Sequence, residues 1–451
     1  MQRLQFHYRR GLDIPIAGPP ARTVHAKPVG SVALHAADYP GIRPILRVEE
    51  GERVALGQPL FEDRADPRLR FVAPGSGTVS AIHRGAKRAL QAVAIALEGK
   101  EEEPAFPVID RGRLATLTRD ETRDRMLEAG LWTALRSRPY GRVPPPDEMP
   151  HALFVTAMDT NPLAADPLVV IGEYRDDFAD GVLALATLLD GNVYVCCAPQ
   201  ADLRLVDHPR LVIAEFSGPH PAGLPGTHIH AIAPVSAHRP AWYVGYQDVI
   251  ALGRLFTTGR ISTERIISLA GPAVIRPRLL RTRLGASVVD LTAGEMAQGE
   301  CRVLSGSVLS GRAASDWTDY LGRYHTQITV LREGREREFL GWTAPGADKF
   351  SATRTFLSGF LPPRLFPLTT SQLGSPRAMV PIGGFERVVP LDILPTQLLR
   401  AIAVGDTEAA QQLGCLELEE EDLALCSFVC PSKYDYGPLL RQALTRIEKE
   451  G

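Results

Sequence analysis

The stretch Ala152 to Pro167, A-L-F-V-T-A-M-D-T-N-P-L-A-A-D-P, constrains the chain more than any other. Ala152 to Ala157 reads as a buried strand, Met158 to Pro167 as a polar, proline-broken loop, and a helical pattern follows. Strand, loop and helix form the repeating unit of parallel α/β sheets. Such sheets bind ligands outside the carboxyl ends of their strands, so a ligand is expected first at Met158 to Pro167. The loop contains no glycine. Its backbone therefore cannot close on a pyrophosphate as a nucleotide-binding loop does.

Further α/β signals continue from this unit. Asp176 to Leu189 reads as one helix, Asn192 to Cys197 and Leu211 to Phe216 as strands, and Gln247 to Thr257 as a helix. Between them, Ser217 to His230 is a glycine-bearing loop at a strand end, a second candidate rim. Upstream, Thr116 to Ala129 is a helix opened by Thr118 and Glu121, a capping box. Residues 108–258 are read as one α/β domain.

Residues 29–99 alternate short β runs with turns, and V-x-x-G-x-x-V-x-x-G-Q-P-L-F followed by A-P-x-S-G-T-V resembles the biotinyl/lipoyl barrel-sandwich fold. The hairpin tip falls near Arg64 to Pro67, and no lysine occurs from residue 28 to residue 86. Without an amine no lipoyl or biotinyl amide forms, so this unit is expected to be a scaffold. Residues 1–28 read as an extended arm lying on another part of the chain. Residues 260–345 suggest a β-grasp unit, ending in a hairpin from Gln327 to Leu331 and Glu336 to Gly341. Residues 385–451 read as a helical domain.

The composition excludes several function classes. A net charge of −2 does not supply the basic field of a general nucleic-acid binder. Six cysteines in 451 residues make no disulfide framework, and no signal-peptide pattern opens the chain. Reduced thiols in a cytoplasm are expected. The longest apolar helical stretch, Val182 to Leu189, is far short of the roughly 20 residues of a membrane span.

Two places look like redox sites whose ligands are missing. Cys426-Ser-Phe-Val-Cys430-Pro431 matches the end of a ferredoxin run, but Glu420 and Leu423 stand where its earlier cysteines belong. Cys415 is out of phase. A cluster held by this chain alone is therefore not expected. Gly130 to Pro139, G-L-W-T-A-L-R-S-R-P, lies where a glycine-rich flavin loop precedes the first sheet strand, and it keeps only the first glycine and a proline. Trp132, Leu135 and Arg136 would fill the flavin's space. An apolar pocket at Trp132 and Leu135 could stack a quinone ring, or these residues could be plain core. His228 and His230, read as a strand pair, lie on one face, but no Cys, Asp or Glu stands at ligand spacing for zinc. Asp159, Asn161 and Asp166 could offer oxygen to a cation, or cap the following helix. There is no nucleophile elbow, P-loop or HExxH.

Long ordered stretches carry a family resemblance: G-L-D-I-P-I-A-G (11–18), G-L-W-T-A-L-R-S-R-P (130–139), V-T-A-M-D-T-N-P-L-A-A-D-P (155–167), G-P-H-P-A-G-L-P-G-T-H-I-H (218–230) and E-E-D-L-A-L-C-S-F-V-C-P-S-K-Y-D-Y-G (420–437). Together they resemble the A subunits of the bacterial Na+-translocating NADH:quinone reductase. The resemblance implies a multidomain α/β fold: a barrel-sandwich hybrid domain, a Rossmann-like domain related to the flavoprotein subunit of complex I, an SLBB-like β-grasp domain and a C-terminal helical domain. Met158 and Asp159 stand where those flavoproteins have an acidic pair. The implied role is a peripheral subunit on the cytoplasmic face of the inner membrane, in a complex that passes electrons from NADH to ubiquinone and expels Na+. No redox cofactor is expected on this chain. FMN, riboflavin, FAD and iron–sulfur are expected in partner subunits, and the membrane-embedded B subunit is the main expected partner. The expected quinone-pocket residues are Trp132, Leu135, Asp159 and Asn161. The competing expectation is a scaffold with no ligand.

Overall fold

The computed structural model describes residues 1–336, 338–341 and 343–450. Ala152–Ala157 is the inner strand of a six-stranded sheet, parallel to Asn192–Cys197 on one side and to Ala241–Gly245 on the other. Leu211–Ser217 pairs outside Asn192–Cys197, and Gln2–His7 pairs outside that, both parallel. Arg136–Arg138 closes the opposite edge, antiparallel to Ala241–Gly245. The chain thus winds outward through 192–197 and 211–217, then crosses back to 241–245. The winding reverses between Ala152–Ala157 and Ala241–Gly245, which makes their carboxyl ends the topological switch point.

Side-chain alternation explains why both faces are covered. Leu153 and Val155 join Val193, Val195 and Val244 in the core under the helices Arg175–Leu185 and Tyr246–Thr258. Ala152 and Phe154 join Cys196, Phe216 and Ile229 on the other face. The two helices approach to backbone contact. A Cβ on Gly181 would lie 2.0 Å from the Val249 carbonyl oxygen, and one on Gly253 would lie 1.8 Å from that of Asp177.

The helix expected over Asp176 to Leu189 forms as Arg175–Leu185, four residues shorter at its carboxyl end. Pro167–Glu173 and Arg175–Leu185 are separate helices, broken at Tyr174, which has φ −129° and ψ 40°. The Tyr174 hydroxyl bonds to Glu264 and its ring lies under the Arg254 guanidinium.

The first 28 residues do more than lie on a neighbour. Besides Gln2–His7 in the parallel sheet, Ala21–Ala26 pairs with Arg278–Arg283 at the edge of a second six-stranded sheet. That sheet runs Arg312–Ala313, Cys301–Ser305, Gln327–Arg332, Glu264–Ala270, Arg278–Arg283, Ala21–Ala26. The expected hairpin partner at Glu336 to Gly341 includes Arg337, outside the described residues; the rest of it is loop and turn. Gln327–Arg332 has no free edge to offer, because Cys301–Ser305 and Glu264–Ala270 already flank it.

The β unit near the amino terminus forms a four-stranded and a three-stranded sheet. Its hairpin tip is tied down: Arg68 bonds to Asp66 and to Asp147 of the α/β unit, both at 2.6 Å. The carboxyl-terminal region carries the helices Pro395–Val404, Thr407–Gln412, Ala424–Val429 and Tyr436–Glu450, packed around Leu398, Tyr436, Leu440 and Leu444.

The glycine contacts make the helix pair sensitive to one methyl group. Gly253→Ala is expected to cost about 1–3 kcal/mol, the usual penalty of overpacking, read as a lower urea midpoint. An unchanged midpoint would mean the helices separate freely.

Candidate functional site

The switch point is occupied by the chain itself. The loop Met158 to Pro167 leaves the central strand and meets the second sheet. Ser268 Oγ donates to the Leu163 carbonyl at 2.7 Å, and Gln327 Nε2 donates to the Pro162 carbonyl at 3.0 Å. These bonds hold Leu163 at φ 67°, a conformation that costs a side-chain-bearing residue energy. On the other side of the switch point, the Gln247 side chain donates to the Ile266 carbonyl at 2.7 Å and accepts from the Ile266 N–H at 2.9 Å. The strand Glu264–Ala270 thus lies where a ligand lies in an open α/β sheet.

Next to this seam is a buried charge group that the sequence reading missed. Asp248 accepts from Arg265, and from Arg323 through both guanidinium nitrogens at 3.0 Å. Two guanidinium groups share one carboxylate, so the group keeps a net positive charge. Its only sequence signal was arginine inside or beside apolar strands.

Asp159 and Asn161 sit together in the first loop. Asp159 Oδ1 accepts from the Asn161 backbone N–H at 2.8 Å and from its Nδ2 at 3.0 Å. Burial pushes the Asp159 carboxyl up to about 6, and the two bonds from Asn161 only partly oppose this. Asp166 caps the helix Pro167–Glu173 by accepting from the Leu168 N–H. The second loop closes on the first: Thr160 Oγ1 meets His220 Nδ1 at 3.1 Å and accepts from the Gly223 N–H at 2.9 Å.

Trp132 and Leu135 are separate from Asp159 and Asn161 and lie in the core, at 1% and 0% exposure. Trp132 Nε1 donates to the Pro144 carbonyl at 2.8 Å, and its ring meets Trp242 edge-on at 5.4 Å. The segment Gly130 to Pro139, placed by sequence as a decayed loop, forms a short 3-10 turn and the strand Arg136–Arg138. Gly130, at φ 71°, presses on Val72, which a Cβ would meet at 2.5 Å.

A crevice opens on the far side of that turn. Tyr39, Val72, Pro74, Gly130, Leu131, Thr133, Thr263, Arg265 and Arg323 are among its lining residues, so all three β-bearing units contribute. It holds about 420 Å³ of unfilled space, its open mouth included. The enclosed part suits water rather than a ring, so a ring-sized ligand enters only if the walls part. None of Trp132, Leu135, Asp159 and Asn161 lines it.

The histidine expectation is corrected. His228 and His230 lie on the helix Pro225–Ile232, not on a strand, so two residues of separation point them apart. His228 Nε2 donates to the Ala222 carbonyl at 3.0 Å, and burial lowers this ring to about 3, leaving it neutral. His230 bonds to Glu417 through Nδ1 and accepts the Asp392 N–H at Nε2. Among the described residues no group of three or more His, Cys, Asp or Glu is placed to hold a metal ion. Cys415, Cys426 and Cys430 are buried free thiols; Cys430 Sγ lies 3.4 Å from the Tyr436 hydroxyl, and burial pushes Cys415 up to about 12.

Arg136 and Arg138 are both engaged with the carboxyl-terminal region. Arg138, fully buried, donates to Asp422 at 2.6 Å and faces Glu419 at 2.9 Å. Arg136 pairs with Glu419 and lies over the Tyr243 and Tyr324 rings. Tyr243 donates to Glu419 at 2.7 Å. These bonds lock the edge of the parallel sheet to the turn before Ala424–Val429.

Two variants probe these groups. Arg138→Met leaves Asp422 buried without its main partner and Glu419 with one arginine fewer, and is expected to cost about 3–5 kcal/mol of stability, measured by chemical denaturation. Asp159 is held above its unfolded-state value, so its carboxylate destabilises the fold as pH rises from about 4 through about 6. Asp159→Asn should therefore raise the thermal midpoint at pH 8, and that gain should shrink as pH falls toward 4. A constant difference across this range would rule out the titration.

Three family models match: the NqrA N-terminal barrel-sandwich hybrid domain at residues 6–98, the NqrA second alpha/beta domain at 117–261, and the NQRA C-terminal domain at 266–316. The A subunit of the Na(+)-translocating NADH-quinone reductase of Histophilus somni (strain 2336) is 55% identical over 444 residues, which is 98% of this chain and 99% of that protein. The proteins of the same name from Neisseria gonorrhoeae (strain NCCP11945) and Saccharophagus degradans match at 55% over the same shares. A crystal structure of an NAD+-reducing NiFe hydrogenase, in the H2-reduced state, aligns with 49% of this chain and 48% of its own at 14% identity and a TM-score of 0.35, too remote to carry an argument. With relatives matching from end to end, the chain belongs to the NqrA family, the A subunits of the Na(+)-translocating NADH-quinone reductase.

Proposed function

We propose that this chain is a peripheral, cofactor-free subunit of a sodium-pumping NADH:ubiquinone reductase, on the cytoplasmic face of the bacterial inner membrane, where it contributes to quinone binding and assembly. The names of its relatives supply NADH, quinone and Na+. Among the described residues no helix is long and apolar enough to cross a membrane, which fits attachment through partners, the membrane-embedded B subunit foremost.

The cofactor-free reading rests on one observation: the chain fills its own ligand crevice. Strand Glu264–Ala270 is bonded across the switch point, and Trp132 and Leu135 pack as core where a flavin loop would leave room. A flavin does not fit these residues. FMN, riboflavin, FAD and iron–sulfur are assigned to partner subunits. The reversal in the parallel sheet supports kinship with the Rossmann-like flavoprotein of complex I. The cysteine-bearing carboxyl-terminal helices are read as a domain descended from its iron–sulfur unit.

For quinone, the crevice beside Gly130 to Thr133 is the better site. Leu131 and Thr133, on either side of Trp132, line it, and Tyr39 and Arg323 are among its polar lining residues. The burial of Trp132 and Leu135 favours the second reading, a scaffold without a ligand.

Calorimetric titration of a short-chain ubiquinone decides between them, on the purified chain and on the purified complex. Thr263→Phe, at the half-buried lining of the crevice, should weaken binding at least tenfold with the unfolding midpoint unchanged. Trp132→Ala is a poor probe, because emptying that core site costs about 3–5 kcal/mol by itself. No saturable binding by chain or complex would leave the scaffold reading, whereas full affinity in Thr263→Phe would rule out the crevice as the site.

A further inference from the structure

Most of the chain's large apolar side chains are buried, but one segment is an exception. Between Gln327–Arg332 and the helix Gly384–Val388 the described residues are irregular apart from the short 3-10 turn Leu357–Phe360. Phe360 is 79% exposed and Leu373 78%, and Leu357, Leu361, Leu365, Val380 and Ile382 are exposed as well. Isolated apolar side chains on a surface need no explanation, but this many in one segment do.

The segment is anchored to the body. The Phe366 N–H donates to the Pro15 carbonyl at 2.7 Å and its carbonyl accepts from the Ala17 N–H at 2.9 Å. Ser432 Oγ donates to the Ala378 carbonyl at 2.8 Å, and the Phe350 ring lies between those of Phe366 and Phe428. The outward residues are therefore held on the surface of a fixed loop.

Its charge is one-sided. From Asp348 to Glu386 no acidic residue intervenes, while Lys349, Arg354, Arg364 and Arg377 do. Lys349 pairs with Glu338. Among the described residues, Arg354, Arg364 and Arg377 have no carboxylate within ion-pair distance.

We propose that this segment, residues 349–385, is the surface that docks another subunit of the complex, one presenting an apolar patch bordered by carboxylates. The inference rests on the reading of the chain as one component of a multisubunit reductase. Aromatic and Leu-rich surface with Arg, and without Asp or Glu, is the composition of a protein interface core. A segment of this length supplies the roughly 20–30 residues that one side of a standard interface uses. Lipid-headgroup sites instead cluster about 4–8 Lys or Arg, and here the cations are spaced and mostly Arg. Lys- and Arg-rich cytoplasmic loops of a membrane protein would repel this surface, so the partner's contact is acidic. The amino-terminal arm is not available for this contact, since both of its strands are spent inside the chain's own sheets.

The test compares the purified complex with the isolated chain by hydrogen exchange. Amides in 349–385 are expected to exchange at least tenfold more slowly in the complex. In a complex carrying Arg364→Lys and Arg377→Lys, a carbodiimide should join an introduced amine to an Asp or Glu of another subunit. Arg354→Glu, Arg364→Glu and Arg377→Glu together should weaken retention of the chain in the complex at least tenfold, with the isolated chain's unfolding midpoint unchanged. Equal exchange in complex and free chain would overturn the proposal. So would protection that appears with phosphatidylglycerol vesicles but not with the partner subunits. A wild-type chain that fails to co-purify with any other subunit would overturn the reductase-component reading too, so the two failures are distinguishable.

Discussion

The structure depends on a polar seam. Ser268, Gln327 and Gln247 bond the switch point of a parallel sheet to the backbone and strands of a second sheet. Each bond alone is worth about a kcal/mol net. Their larger effect is geometric. They fix a strand in the one crevice where an α/β sheet ordinarily admits a ligand, and they hold Leu163 in a left-handed conformation it would not keep alone. Once this seam forms, the first loop is a joint between two sheets, and neighbouring side chains are recruited to support it. Asp159 folds back on Asn161, and Thr160 receives the second loop.

A second lock lies at the opposite edge of the same sheet. Arg136 and Arg138 share Glu419 with Tyr243, and Arg138 also holds Asp422. Removing such charges from water is expensive, and the cost is offset only when the partners are all in place. The carboxyl-terminal helices are thereby held to the sheet. Gly226 marks how tight this joint is, because a Cβ there would lie 2.2 Å from an Asp422 carboxylate oxygen. The same seam-and-lock arrangement leaves the crevice beside Gly130 as the opening shared by the three β-bearing units.

Local patterns were legible where local chemistry decides. The capping box at Thr118 and Glu121, the cap at Asp166, and the alternation in Ala152–Ala157 all appear as the residues suggested. The barrel-sandwich, α/β and C-terminal units were legible through turn spacing and motif resemblance. Other readings failed because distant partners overruled them. Gln327–Arg332 has both edges taken by distant strands. His228 and His230 turned out helical because Pro225 sits in a helix's first turn, a signal that was present but outweighed by the strand-end pattern before it.

By itself the sequence determined the kind of chain this is. Which residues repeat every two or every 3.6 positions, and where lysines, glycines and ligand cysteines are missing, is local information. It was enough for three units and for a barrel-sandwich unit with no lysine from residue 28 to residue 86. The tertiary structure alone decided what these residues meet. Whether Trp132 lines a pocket or fills a core, and whether Asp248 balances one arginine or two, depends on residues far apart in the chain meeting in space. No periodicity encodes those meetings, because they are set by how whole sheets pack and not by the spacing of neighbours along the backbone.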